Sequence, residues 1–274
     1  MAGRPRGEEL QRLRAHFEIE RELADRLRNA GRDRRKTLYR EVYDELFERV
    51  ELVGNAEAQQ SQVGLLLELL GPFLDGVSSF LEVGAGACEL SLELAPRVDR
   101  VWAVDAVDPG IESPPQGFTF VPSHRLASVV PASSVDLALS CHTIEHLHPD
   151  DLRDHLWEVR NALAPGGAYV IVTPNRLYGP HDISRYFSDV PLGFHLREYT
   201  HTELAAELTA AGFARVRLIG GVGEAPKPGT AWKVRIAEAV LDVLPAGWRR
   251  RLLNRAPRSA PFRPLEQVKL VGTR

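Results

Sequence analysis

The stretch "HTIEHLH", residues 142–148, gathers three histidines and a glutamate. His142, Glu145 and His146 stand at i, i+3 and i+4, so a helix starting here would project all three from one face. A neutral imidazole exchanges a proton near pH 7 and suits removal of one from a hydroxyl. The same three groups could instead hold a divalent ion, and two imidazoles with one carboxylate favour manganese, iron or zinc over magnesium. His181 or His195 could then supply a fourth ligand. Glutamate and histidine in such a stretch also serve helix packing and capping. The expectation is a metal-free site with catalytic residues His142, Glu145 and His146, His142 facing the substrate as base or orienter. An ion on these three residues is the alternative.

A second polar group lies in "PNRLYGPHDISRYFSDVPLGFHLREY", residues 174–199. It follows an apolar strand pattern, and ligands of open α/β sheets bind beyond the C-terminal ends of strands. His181, Asp182, Arg185, Tyr186, His195 and Tyr199 are thereby placed over the sheet, with His181, Arg185, Tyr186 and His195 expected to shape an acceptor pocket. For any one of them a polar cap without chemistry is the plainer alternative.

The third group is "FLEVGAGACELSLEL", residues 80–94, which reads as strand, glycine turn and helix start. Such a turn cradles a nucleotide-containing cofactor. The dinucleotide fingerprint needs a third glycine, but after Gly84 and Gly86 that place is held by Glu89. A carboxylate in the first helical turn repels a pyrophosphate, which disfavours a dinucleotide and an NAD-dependent oxidoreductase. A cofactor without phosphates, bearing an amino-acid tail and a sulfonium, meets no such conflict. Asp105 ends the next strand, where a carboxylate accepts from both ribose hydroxyls, a turn or capping role being its alternative. Glu82 interrupts an apolar strand and needs a polar partner, either a ligand ammonium or a cluster of backbone N–H groups. Cys88 and Cys141 both fall on turns expected to face the cofactor.

The elements that must position these groups alternate. Residues 8–30 carry a helical stripe of Leu10, Leu13, Phe17, Leu23 and Leu27. "GRDRRK" interrupts, and a second helix shows Leu38, Val42, Leu46 and Val50 beside Tyr39, Tyr43 and Phe47. From residue 61 come the helix "SQVGLLLELLGPF", the strand "SFLEVG", the helix "CELSLELA", the strands "VWAVD", "FTFV" and "VDLALS", and the helix "DDLRDHLWEVRNAL". Leu152, Leu156, Val159 and Leu163 share one face of that last helix, which "APGG" is expected to end before "AYVIVT". Thr200 and Glu203 predict a capping box for "HTELAAELTAAGF", stopped at Gly212, and "ARVRLIG" and "EQVKLVG" close the series. The predicted fold is α/β, a doubly wound, mostly parallel seven-stranded sheet. Residues 1–60 are expected as a helical lid on a domain of residues 61–274, with a helical insertion at 228–258 carrying Trp232, Ile236, Val240 and Val243. The stretch from Pro245 to Arg263 holds six arginines and no acid; it could touch anionic lipid or an acidic partner, a plain basic surface being simpler.

"LEVGAGACEL", "VWAVDA", "VDLALSCHTIEHL", "LAPGGAYVIVTPN" and "HTELAAELTAAGF" together resemble the successive motifs of class I S-adenosylmethionine-dependent methyltransferases, over roughly residues 60–222 and the last strand at 266–272. The resemblance implies S-adenosylmethionine as cofactor, with Gly84 to Gly86 on its methionine portion, Asp105 with Ala106 at the ribose, and Ser123 or His124 beside adenine. Glu82, Ser140 and Cys141 complete the implied cofactor set, the last two with His142 beside the transferable methyl group. Cys88 departs from a frequent third glycine, and Ser123 or His124 from a frequent acid. "HTIEHLH" is similar to the metal-binding E-x-x-E-H of ubiquinone-pathway O-methyltransferases and small-RNA 2′-O-methyltransferases, with His142 in place of the first Glu. The segments "TPNRLYGPHD" and "GFHLREYT" look like bacterial methyltransferases of secondary-metabolite or glycan pathways.

A length of 274 residues, 44% hydrophobic, accommodates one large domain with appendages. The net charge of −3 gives no global pull toward nucleic acid or membrane, and the excess of 11 Lys/Arg over 7 Asp/Glu in residues 1–36 reads as a solvated helix face rather than an RNA arm. Two cysteines give no disulfide framework, and no apolar run is long enough to span a bilayer. A cytoplasmic enzyme methylating a small-molecule acceptor, most simply at a hydroxyl, is the expectation. RNA 2′-O-methylation with a divalent metal and a non-catalytic binding protein on the same scaffold are the alternatives.

Overall fold

Short β-branched and aliphatic runs bounded by Gly, Pro and Asp become strands, and in the computed structural model seven of them form one sheet. The structure describes residues 5–50, 56–219, 231–255 and 265–274. The strands are β1 (Ser79–Val83), β2 (Arg100–Asp105), β3 (Phe118–Pro122), β4 (Val135–Cys141), β5 (Leu163–Pro174), β6 (Arg215–Leu218) and β7 (Gln267–Thr273). Their order is β3-β2-β1-β4-β5-β7-β6. The pairs from β3 through β5 are parallel, whereas β7 runs antiparallel to both β5 and β6. The chain winds outward from β1 in one direction through β2 and β3, then returns to β4 on the other side. That reversal opens a crevice at the C-terminal ends of β1 and β4.

Side chains of alternate parity fill two apolar layers. Leu81, Val104, Ala138 and Ile171 face α6 (Pro149–Ala162) and α7 (His201–Ala210) through Leu152, Leu156, Val159, Leu204 and Leu208. Phe80, Val101, Leu139 and Val170 face α3 (Ala56–Leu70) and α4 (Glu89–Leu94) through Leu69, Leu70, Leu90 and Leu94. The short α5 (Leu126–Val129) follows β3. The predicted capping box holds α7: Thr200 Oγ1 accepts from Glu203 N at 3.1 Å and Glu203 Oε2 accepts from Thr200 N at 2.8 Å. Gly212 follows at φ +92°.

Three local expectations are corrected. The break at "GRDRRK" is confined to the join between α1 (Gly7–Asn29) and α2 (Arg32–Arg49), because the charges of that run are paired. Arg35 is buried and donates to both carboxylate oxygens of Asp151 at 2.7 Å. Leu163 opens β5 rather than closing α6, and "APGG" lies inside the strand. Gly167 is required there because a β-carbon would stand 2.8 Å from the Val135 carbonyl, so this glycine admits β5 beside β4. "TIEHLH" forms a short 3-10 turn at Ile144–His146, and α6 begins only at Pro149, so His142, Glu145 and His146 share no helical face.

The N-terminal helices close over residues 174–199. Leu23 and Leu27 pack with Leu38, Val42, Leu46 and Phe194. Arg28 donates to the carbonyls of Leu192 and Gly193 at 3.0 Å. The insertion contains α8 (Ala231–Asp242) and α9 (Ala246–Arg255); residues 228–230 and 256–258 of its expected span lie outside the described residues.

Candidate active site

The glycine turn is a tie between strand ends. Gly84 N and Ala85 N donate to Val104 O at 2.8 and 3.1 Å. Gly84 has φ +75°, and a β-carbon there would fall 2.0 Å from Thr143 Oγ1, so only glycine fits. Gly86, at φ +52°, has nothing within 4 Å of the position a β-carbon would take. Its N–H donates to Asp105 Oδ2 at 2.8 Å, while Val107 N donates to Oδ1 at 3.2 Å. Asp105 and Ala106 are half-buried at the end of β2, and Ser123 is half-buried at the start of a 3-10 turn after β3. The side chain of His124 lies outside the described residues.

Cys88 adopts φ +65°, a left-handed conformation ordinarily left to glycine, directly before α4. Its thiol is buried in the core rather than turned to the crevice, and burial pushes it up to about 12. Burial likewise pushes Cys141 up to about 12. Glu82 is buried on the α4 face, where Ser91 Oγ donates to it at 2.6 Å. Burial, only partly offset by Ser91, raises its carboxyl to about 7. Ser140 is fully buried and its hydroxyl accepts from Tyr169 at 2.9 Å, which commits it to the sheet interior.

Beyond β4 the chain crosses the crevice. His142 N donates to Val172 O at 2.9 Å and Thr143 Oγ1 to Val83 O at 3.0 Å, so this loop is stitched to β5 and β1. His142 sits at φ +53° with its side chain 41% exposed. Its Nδ1 lies 3.2 Å from Oε1 of Glu145, whose side chain is 0% exposed. Thr173 Oγ1 donates to the other oxygen of Glu145 at 2.7 Å. Burial opposes ionisation of Glu145, but the His142 hydrogen bond and the neighbouring imidazoles outweigh it and hold the carboxyl at about 2. The pair is a histidine aimed outward and a buried carboxylate that sets its ring.

His146 points the other way. Its Nδ1 faces the Phe194 carbonyl at 3.0 Å, which assigns the proton to Nδ1 and leaves Nε2 as the acceptor. Burial lowers its pKa. His195 Nδ1 lies 2.7 Å from Glu198 Oε1, and that carboxylate outweighs the effect of burial and raises the His195 pKa. The His146 and His195 rings meet edge to face at 5.0 Å. Glu145, His146 and His195 each offer one ligand atom, all within 4.8 Å of one another, and His142 is outside that group. Each of the three has a second partner fixing its orientation, as metal ligands require.

The remaining cap residues separate by role. His181 is tied down: its N–H donates to Glu198 at 2.7 Å and its Nε2 lies 3.2 Å from the Asn175 carbonyl. Arg185 and Tyr186 are exposed and stack on each other, with a 2.7 Å hydrogen bond between them. Asp182 is buried and accepts from Ser184 N at 3.0 Å and Gly193 N at 2.9 Å. Tyr199 is buried. Sequence spacing gave no sign of Thr173, of Glu198, or of Tyr43 from α2, whose ring stands 6.4 Å from that of His146.

Residues 55–218, more than half of the chain, match the model of a family described as a methyltransferase domain. A protein of Mycolicibacterium smegmatis named "Probable S-adenosylmethionine-dependent methyltransferase" is 33% identical over 133 residues, 45% of this chain and 48% of that protein. The match thus spans about half the length of that relative. An S-adenosylmethionine-dependent methyltransferase from Archaeoglobus fulgidus superposes with a TM-score of 0.50 at 18% identity, covering 78% of this chain and 94% of its own. The apo form of the S-adenosylmethionine-dependent methyltransferase SibL also gives 0.50, at 17% identity, covering 97% of this chain and 70% of its own. At such identities the two structures speak for the fold.

Proposed function

Because the chain belongs to the methyltransferase-domain family of class I S-adenosylmethionine-dependent enzymes, we propose that it methylates a hydroxyl of a small-molecule acceptor, with His142 as the base. The carrying observation is the outward His142 ring held at 3.2 Å by the buried Glu145. The residues at the crevice fit the cofactor. Gly86 leaves open the space a side chain would fill. The Asp105 oxygens keep lone pairs for ribose hydroxyls beyond the two backbone N–H groups they accept. Glu82, raised to about 7 by burial, is a carboxyl that a ligand ammonium would return to its charged form.

When bound, the cofactor supplies an electrophilic methyl group on a sulfonium. The chain's part is to align the acceptor and remove its proton. His142 Nε2 takes that proton, and the Nδ1–H to Glu145 keeps the tautomer and steadies the imidazolium. Glu145 is too deep to touch the acceptor and is a positioning residue. His181, Arg185, Tyr186 and His195 belong to the cap, with Arg185 and Tyr186 free to meet an acceptor. Calorimetric titration with S-adenosylmethionine, followed by a screen of hydroxyl acceptors with wild type and His142→Ala, tests the reading. Retained binding with lost turnover supports it; turnover unchanged in the variant overturns His142 as base.

A divalent ion is the second reading, favoured by the mutual approach of Glu145, His146 and His195. In that case Glu145 ligates instead of steering His142. Metal analysis of the purified protein and turnover after chelation separate the two uses of this carboxylate.

A further inference from the structure

Helices α8 and α9 form a hairpin with opposite faces. The inner face is fixed at the catalytic edge of the sheet. Glu238 is buried and accepts from His201 N at 2.8 Å, Thr202 Oγ1 at 2.7 Å and Asn175 Nδ2 at 3.2 Å. Asp242 takes both arms of the Arg176 guanidinium at 2.7 and 2.9 Å, and Leu241 and Leu253 pack on Leu177.

The outer face is apolar and exposed. Trp232, Ile236 and Val240 repeat at i, i+4 and i+8 and continue to Val243, while Trp248 and Leu252 repeat at i and i+4. Their exposures run from 46% at Leu252 through 69% at Trp248 to 81% at Val243. Half of the exposed large apolar side chains among the described residues are these six. Lys233, Arg235 and Arg251 are exposed in the same hairpin, and residues 231–255 contain six basic residues. Their only two acids, Glu238 and Asp242, are the ones engaged with the body of the protein. The outer face therefore combines tryptophan, aliphatics and unopposed positive charge, the composition of a helix lying in a lipid headgroup layer.

We propose that the α8–α9 hairpin seats the protein peripherally on an anionic phospholipid bilayer. No helix among the described residues is long and apolar enough to cross a membrane, so attachment is interfacial. Apolar side chains enter the acyl boundary and the basic ones meet phosphates. A groove for a neutral protein partner would gain nothing from acids turned inward, whereas an anionic surface does.

The test is co-sedimentation of the full chain with vesicles of phosphatidylcholine, alone or mixed with phosphatidylglycerol. Binding to the mixed vesicles alone, weakened by salt, is expected. Trp232→Ser with Trp248→Ser should reduce partitioning by about tenfold or more. Lys233→Glu with Arg235→Glu should reduce it by roughly fivefold per charge removed, before reversal is counted. All four positions are exposed, and circular dichroism with S-adenosylmethionine titration checks that the variants remain folded. Absence of vesicle binding, or binding indifferent to both variants, overturns the proposal. So does a wild-type dimer in light scattering that the tryptophan variant turns into a monomer, or retention of RNA in place of vesicles.

Discussion

His142 pays a backbone cost that its neighbours do not. At φ +53° a side chain crowds the following carbonyl, costing roughly 1–2 kcal/mol, which glycine and to a lesser degree asparagine escape. A histidine there at the exit of β4, ring outward and backed by a buried carboxylate, is the strained feature on which the proposed role of His142 as base rests. His142→Asn should therefore leave the melting temperature unlowered while turnover falls by about a hundredfold or more, as loss of a general base predicts. Glu145→Gln should lower kcat with little change in cofactor affinity; equal loss of both in titration and kinetics would mark a merely structural group. The two turn glycines make a sharper pair. Gly84→Ala drives a β-carbon 2.0 Å from Thr143 Oγ1 and should destabilise the fold. Gly86→Ala has room within the protein, so it should fold, strained at φ +52°, but bind S-adenosylmethionine more weakly. Melting curves and titration on both variants decide it. The glycine turn, Asp105 and the outward His142 were legible because each depends on strand-end chemistry within a few residues. That His195 or His181 would join His146 was open from the sequence; that His195 does so while His142 stays outside was not, since this requires a 3-10 turn where spacing suggested a helix, and a segment that folds back across it.

Among the elements, α6 shows best what periodicity can and cannot convey. Leu152, Leu156 and Val159 face the sheet as their spacing requires, and Leu156→Ala should cost about 2–5 kcal/mol in denaturant unfolding. The helix end was misread because a glycine pair serves a stop and a close strand approach equally well; only the Val135 carbonyl distinguishes them. The arginine run of α2 hid its continuity for the opposite reason, since its cost as a free helix disappears against Asp151 of α6. In α8 the stripe of Trp232, Ile236, Val240 and Val243 was visible, but its direction was not. Glu238 and Asp242 on the other face decide that direction, through partners far away in sequence.

At the scale of the whole molecule, Glu238 makes the seating of the hairpin sensitive to acid. Burial would raise its carboxyl, but hydrogen bonds from His201 and Thr202 outweigh that and hold it at about 2, below its ordinary 4.5. Its contribution to stability is thus present above pH 4.5 and is lost as pH falls toward about 2. The wild-type melting temperature should fall more steeply across that window than that of Glu238→Gln; parallel slopes would remove Glu238 from the account. The reversed direction of β7 has a consequence for how such a protein can change. Because β6 runs with β5 and β7 runs back, the chain between them leaves and re-enters at the catalytic edge. Among the described residues, α8 and α9 are inserted there and add no strand to the sheet. The antiparallel return thus works as an open mounting point, where a fitting gives the same chemistry an address without disturbing the strands beneath it.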